Sequence, residues 1–233
     1  MRLSDMTISM TRREAALGWG SFFLNLLLLP QLLPLLNDLL PTPLSAGKLN
    51  FLYFLLNFLI LAAIFHQFLR RSLAPVKAGP SRFLTAFGAG LGAYFAASFA
   101  INLLILRLCP DYQNANDSTI AAMAGQDGAL TAVGTVLLVP LAEELLYRGL
   151  LFGRVFARNR AAGYLLSTLV FCFIHVAGYI GVYPAGMLSL SLLQYVPAGL
   201  CLGWAYAHSG TVFAPVCIHT VVNLLGCIAI FMR

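Results

Sequence analysis

Two adjacent carboxylates and an arginine stand inside the apolar run Val139-Pro140-Leu141-Ala142-Glu143-Glu144-Leu145-Leu146-Tyr147-Arg148-Gly149. Leu130 to Leu141 carries no charge, and neither does Gly149 to Gly153. An ionisable side chain at the centre of a membrane helix costs about 2.5–3.5 kcal/mol on insertion scales. Charges placed so close together are therefore either paired and buried in protein or engaged in chemistry. At about 100° per residue Glu144 and Arg148 share one helix face as an i, i+4 pair. Glu143 is turned about 100° from Glu144 and remains the free carboxylate. Two more polar signals lie in apolar segments. Phe171-Cys172-Phe173-Ile174-His175 carries one imidazole, and His219-Thr220-Val221-Val222-Asn223 carries an imidazole and a carboxamide at i, i+4. A rise of 1.5 Å per residue puts Glu143 and His175 about 21 Å, and His219 and Asn223 about 12 and 18 Å, from the ends of their segments. All four groups therefore sit at one level near the midplane. The chemistry that needs this set is water activation. A carboxylate takes a proton from water, imidazoles orient the water or bind a metal, and an amide or imidazole stabilises an oxyanion.

The remaining polar residues read more plainly. Glu144–Arg148 reads as a structural ion pair, and His66 and His208 sit near segment ends as interfacial residues. Cys172 precedes His175 by one helical turn, but a buried thiol is inert. Gln194 and Tyr195 read as core packing. Each of His175, His219 and Asn223, taken alone, is also explained by hydrogen bonding between helices.

The elements that must position these groups are membrane helices. The chain has 233 residues, of which 60% are hydrophobic and 9% charged, against about 25% charged in a soluble domain. This predicts an all-α fold, a polytopic transmembrane helical bundle of about seven spans, with six to eight as the range. The spans are expected near 17–36, 49–69, 83–106, 128–157, 161–180, 187–207 and 211–231. Pro30 and Pro34 are expected to kink or end the first one early. Residues 70–82 read as a basic loop, and 109–127 as an acidic external connection with some helix. Residues 1–127 form an N-terminal portion of three spans with that acidic connection; 128–233 form the portion that carries the chemistry. The five cysteines show no CxxC spacing, and nothing points to a disulfide framework or a zinc–thiolate centre. The apolar run after Arg12 and Arg13 is too long for a signal peptide and reads as a retained span.

Net charge is +6, but the basic residues cluster between apolar segments. They read as cytoplasmic loop anchors rather than a nucleic-acid surface. With the N-terminus cytoplasmic, the inner segments collect 11 of the 14 Lys and Arg residues. An ion-coupled transporter is the main alternative class, because membrane Glu and His residues also relay protons. The lack of an internal inverted repeat and the crowding of polar residues in the C-terminal half weigh against it. A non-catalytic immunity or binding protein is the second alternative.

The set Glu143-Glu144-x-x-x-Arg148, Phe171-x-x-x-His175 and His219-x-x-x-Asn223 resembles the motif set of the CPBP intramembrane proteases, over roughly residues 128–226. That family includes the CAAX prenyl endopeptidase and bacterial members linked to bacteriocin maturation, immunity and peptide processing. The resemblance implies an endopeptidase in a bacterial plasma membrane. Its substrate would be a membrane-associated peptide or protein, such as a lipidated chain or a bacteriocin or pheromone precursor. Glu143 would be the general base, with His175 holding the water. His219 and Asn223 would complete the site, one of them in an oxyanion role, and Glu144 and Arg148 would brace it. Family usage also implies a metalloprotease, with zinc or another divalent ion held by Glu143, His175 and His219. No HExxH occurs, so a metal-free glutamate mechanism stands beside that reading.

Overall fold

The structure is a computed structural model that describes residues 9–232, so Arg2 and Arg233 of the charge count lie outside the described residues. Among the described residues the chain forms eight helices and no β-strand. They are α1 (Arg12–Asp38), α2 (Ala46–Ile64), α3 (His66–Ala78), α4 (Pro80–Leu108), α5 (Ala115–Phe156), α6 (Arg160–Ala177), α7 (Ala185–Ser209) and α8 (Phe213–Phe231). All except α3 are long and apolar enough to cross a membrane. The chain is a multi-pass membrane protein.

Three sequence expectations need correction. The basic stretch 70–82 is no loop. The second span stops at Ile64, Phe65 leaves helical geometry, and α3 follows as a separate helix. Phe68 and Ser72 are its buried face, one turn apart, while Arg70 and Lys77 stay at the surface. That is the pattern of an amphipathic helix lying at a boundary. The acidic connection is largely helical. Asn114 caps α5 by accepting from the backbone N–H groups of Asn116 (2.9 Å) and Asp117 (3.2 Å). As one straight rod α5 would be about 63 Å long, roughly twice a bilayer core. It breaks at Asp127, whose backbone is non-helical (φ −136°, ψ 57°). The Ser45 hydroxyl donates to the Asp127 carboxylate and pins the start of α2 against the break.

The third correction concerns proline. Pro30 and Pro34 do not end α1. A π turn at Leu24–Leu28 absorbs Pro30, and a matching π turn at Gly134–Leu138 absorbs Pro140 in α5. Proline has no N–H, and its ring crowds the carbonyl four residues back, which a widened turn relieves. In α5 the Val139 N–H reaches back to Gly134. The Thr135 carbonyl is then left with no helical donor, since its i+5 partner is Pro140. The Asn223 amide of α8 donates to it at 2.8 Å. In α1 the Leu29 N–H reaches Leu24, and the Asn25 carbonyl is stranded by Pro30. There the Tyr53 hydroxyl of α2 donates to it at 3.3 Å. Both prolines thus become helix–helix fastenings.

The bundle closes with α7 against α4 and α6, and α8 against α4, α5 and α7. Gly90 permits the α4 crossing: a Cβ there would lie 2.8 Å from Ile218 Cδ1, whereas Gly88 and Gly92 face open space. Arg12, Arg13, Arg70, Arg71, Lys77, Arg82, Arg154, Arg158 and Arg160 gather at one end, tied by Arg71–Glu14 (2.7 Å), Arg82 to the His208 carbonyl, and Thr211 to the Ser72 carbonyl. Asp38, Asp111, Asp117 and Asp127 lie at the other.

Candidate active site

Glu143 and Glu144 lie on α5 at the join between regular helix and a long π stretch, Leu145–Phe152. Wider turns change the 100° step assumed from sequence, yet the i, i+4 pair survives. Arg148 Nη1 donates to Glu144 Oε1 at 3.1 Å, and both side chains are fully buried. Arg148 Nη2 also donates to the Ala198 carbonyl of α7 at 3.1 Å, and its guanidinium lies 4.5 Å from the Phe171 ring centre. The arginine therefore links α5, α6 and α7 besides neutralising Glu144. Glu144 has a second partner that the sequence did not reveal. His219 Nδ1 sits 2.9 Å from Glu144 Oε1.

The other glutamate meets both imidazoles. Glu143 Oε2 is 3.9 Å from His175 Nε2 and 4.0 Å from His219 Nε2. That oxygen is buried and has no hydrogen-bond partner among the described residues, while the side chain as a whole is 21% exposed. Each imidazole is fixed from behind. His175 Nδ1 lies 2.8 Å from the Phe171 carbonyl, and the ring is packed between Phe171 (4.4 Å) and Tyr195 (4.3 Å). Nδ1–H donates to that carbonyl, which turns Nε2 toward Glu143 as an acceptor. His219 is held the same way by the Glu144 carboxylate. Asn223 is the site residue that does not join this group directly, because its amide goes to Thr135 on the π turn. Tyr195 packs against the core as expected and also forms one wall of the His175 slot. A Cβ on Gly199 would lie 2.6 Å from Thr168 Cγ2, so α6 and α7 are in close contact there. His66 bonds the Ala63 carbonyl at the end of α2, and His208 the Trp204 carbonyl of its own helix.

The donor set of one carboxylate and two imidazoles is chemically suited to a divalent ion. Its spacing is not. Ligands of a tetrahedral zinc lie about 3.4 Å from one another, and the separations here are 3.9 and 4.0 Å. No group of three or more His, Cys, Asp or Glu side chains fit to hold a metal occurs among the described residues. A water hydrogen-bonded at about 2.8 Å to each group spans the gap.

Residues 125–225 match the family model for the type II CAAX prenyl endopeptidases, Rce1-like. Over that segment, less than half of its length, the chain resembles the Rce1-like family. The match begins beside the α5 break and ends in α8, so it holds all six of Glu143, Glu144, Arg148, His175, His219 and Asn223. UPF0177 protein YxdF of Lactococcus lactis is 26% identical over 132 residues, 56% of this chain and 68% of the relative. No solved structure matches. The match supports reading the chain as a protease of the CAAX type, with a peptide or protein substrate in a membrane.

Proposed function

We propose a glutamate endopeptidase in which Glu143 activates water directly. The observation that carries this reading is the buried, unpartnered Glu143 Oε2 facing two imidazole Nε2 atoms at 3.9 and 4.0 Å. A water between Glu143 and His175 gives its proton to Glu143 as its oxygen bonds to the peptide carbonyl carbon. The carbonyl oxygen becomes an oxyanion. His219, oriented by Glu144 through Nδ1, is the side chain placed beside it. The intermediate collapses, the C–N bond breaks, and Glu143 returns the proton to the leaving amine. Asn223 holds α8 at the right depth through Thr135.

The substrate in this reading is a membrane-associated peptide or protein; the Lys/Arg distribution supports a cytoplasmic N-terminus, and the similarity to a Lactococcus lactis protein supports a bacterial plasma membrane. Cleavage of a labelled peptide by the purified protein tests the mechanism. Wild type should cut, Glu143→Gln should not, and 1,10-phenanthroline should leave the wild-type rate unchanged. Loss of cleavage with the chelator, restored by added zinc, would replace direct activation with metal catalysis.

A further inference from the structure

The three helices that carry the site are sealed on one side of it and open on the other. Toward the basic end, Leu145 to Phe152 of α5 are all buried, with Arg148, Leu150 and Phe152 at 0% exposure. Phe171 on α6 and Pro215 on α8, each one turn below an imidazole in that direction, are buried as well. Toward the acidic end the same helices loosen. Val139, Tyr179 and Asn223, one turn from Glu143, His175 and His219 in that direction, are half-buried rather than buried. Glu143 at 21% and His175 at 15% therefore owe their exposure to an opening away from the arginines.

A polar track runs from that opening to the surface. The Tyr195 ring rests on His175, and its hydroxyl donates to Asn114 Oδ1 at 3.4 Å. The Asn114 amide donates to Gln194 Oε1 at 2.7 Å, and the Gln194 amide donates to Asn102 Oδ1 at 2.7 Å. The Tyr112 hydroxyl also donates to Gln194 Oε1 at 2.8 Å. Burial raises the Tyr112 phenol above its ordinary pKa, so it stays a donor. Asn102 is exposed, about 9 Å along α4 from its end. Carboxamides at such depth are costly against lipid and belong beside a water-filled or peptide-filled passage. An extended peptide arriving there brings backbone N–H and C=O groups that need this kind of partner.

We propose that the substrate reaches Glu143 from the acidic end, along the track formed by Asn102, Gln194, Asn114 and Tyr195. The substrate is then a peptide segment presented on the acidic face of the membrane protein, and the basic end is closed to it. This rests on the peptidase reading above.

Single cysteines in a cysteine-depleted background test it, with each variant compared before and after reaction with a bulky maleimide. Asn102→Cys should lose most of its peptide cleavage once modified. Arg158→Cys, at the sealed end, should lose none. Sealed proteoliposomes give a second measurement that needs no cysteine-depleted chain: added impermeant peptide should be cut only by molecules whose acidic end faces outward, the orientation being read by protease clipping of the 154–160 turn. Blockage from position 158, or cleavage by molecules with the basic end outward, would overturn the route while leaving Glu143 as base. No cleavage by the wild type in either orientation would instead overturn the peptidase reading itself, and undiminished cleavage by Glu143→Gln would overturn Glu143 as base.

Discussion

Glu143 and Glu144 differ in what surrounds their oxygens. Glu144 Oε1 takes hydrogen bonds from Arg148 and His219, whereas Glu143 Oε2 meets two imidazole nitrogens at a distance that leaves room for a water. Glu143→Gln keeps shape and removes the base. Cleavage should fall by about 10²-fold or more, with the melting temperature in detergent nearly unchanged. Glu144→Gln strips the counter-charge from a fully buried guanidinium, which costs about 3–5 kcal/mol. That variant should melt earlier and lose activity as a consequence. A stable but inactive Glu144→Gln beside an unstable but active Glu143→Gln would reverse the assignment. The Glu144–Arg148 pair was legible in the sequence because four residues separate its members. The Glu144–His219 bond was not, since its partners are 75 residues apart and nothing local encodes their meeting.

At the scale of the helix, the site depends on a defect. The π turn before Pro140 strands the Thr135 carbonyl, and Asn223 answers it. Sequence reasoning placed Asn223 in the site from its spacing to His219 but had no means of seeing the π turn, whose extra residue per turn has no local signature beyond the proline. Pro140 was the available signal: a proline in a membrane helix frees a carbonyl that some neighbour must satisfy. Asn223→Ala should cost about 1–3 kcal/mol by leaving that carbonyl unpaired. Pro140→Ala restores a backbone N–H that can reach Thr135, so Asn223→Ala should cost far less in that background. A double-mutant cycle on melting temperature measures the coupling. Strictly additive effects would show that Asn223 does not serve the stranded carbonyl. Gly199 offers an independent check. Gly199→Val forces α6 and α7 apart at Thr168, and overpacking of this kind costs about 1–3 kcal/mol. Its melting temperature should drop even though no catalytic group is touched.

Across the whole molecule, charge is sorted by end. Hydropathy made the spans legible, because a bilayer demands about 20 apolar residues for each helix. It could not separate the interfacial helix α3 from the span before it, since both are apolar on one face and only the break at Phe65 divides them. Clustering of Arg and Lys around α3 and the 154–160 turn predicts that this end is the cytoplasmic one. On that orientation the acidic end would face outward, and the proposed route would serve peptides displayed outside the cytoplasm. Position 77 on α3 decides this. A Lys77→Cys variant, alone in a cysteine-depleted background, should resist an impermeant thiol reagent added to intact cells and react after permeabilisation. Asp111→Cys, at the opposite end, should react without permeabilisation. If position 77 reacts in intact cells and position 111 does not, the molecule is inverted. The same route to Glu143 would then serve peptides on the cytoplasmic side.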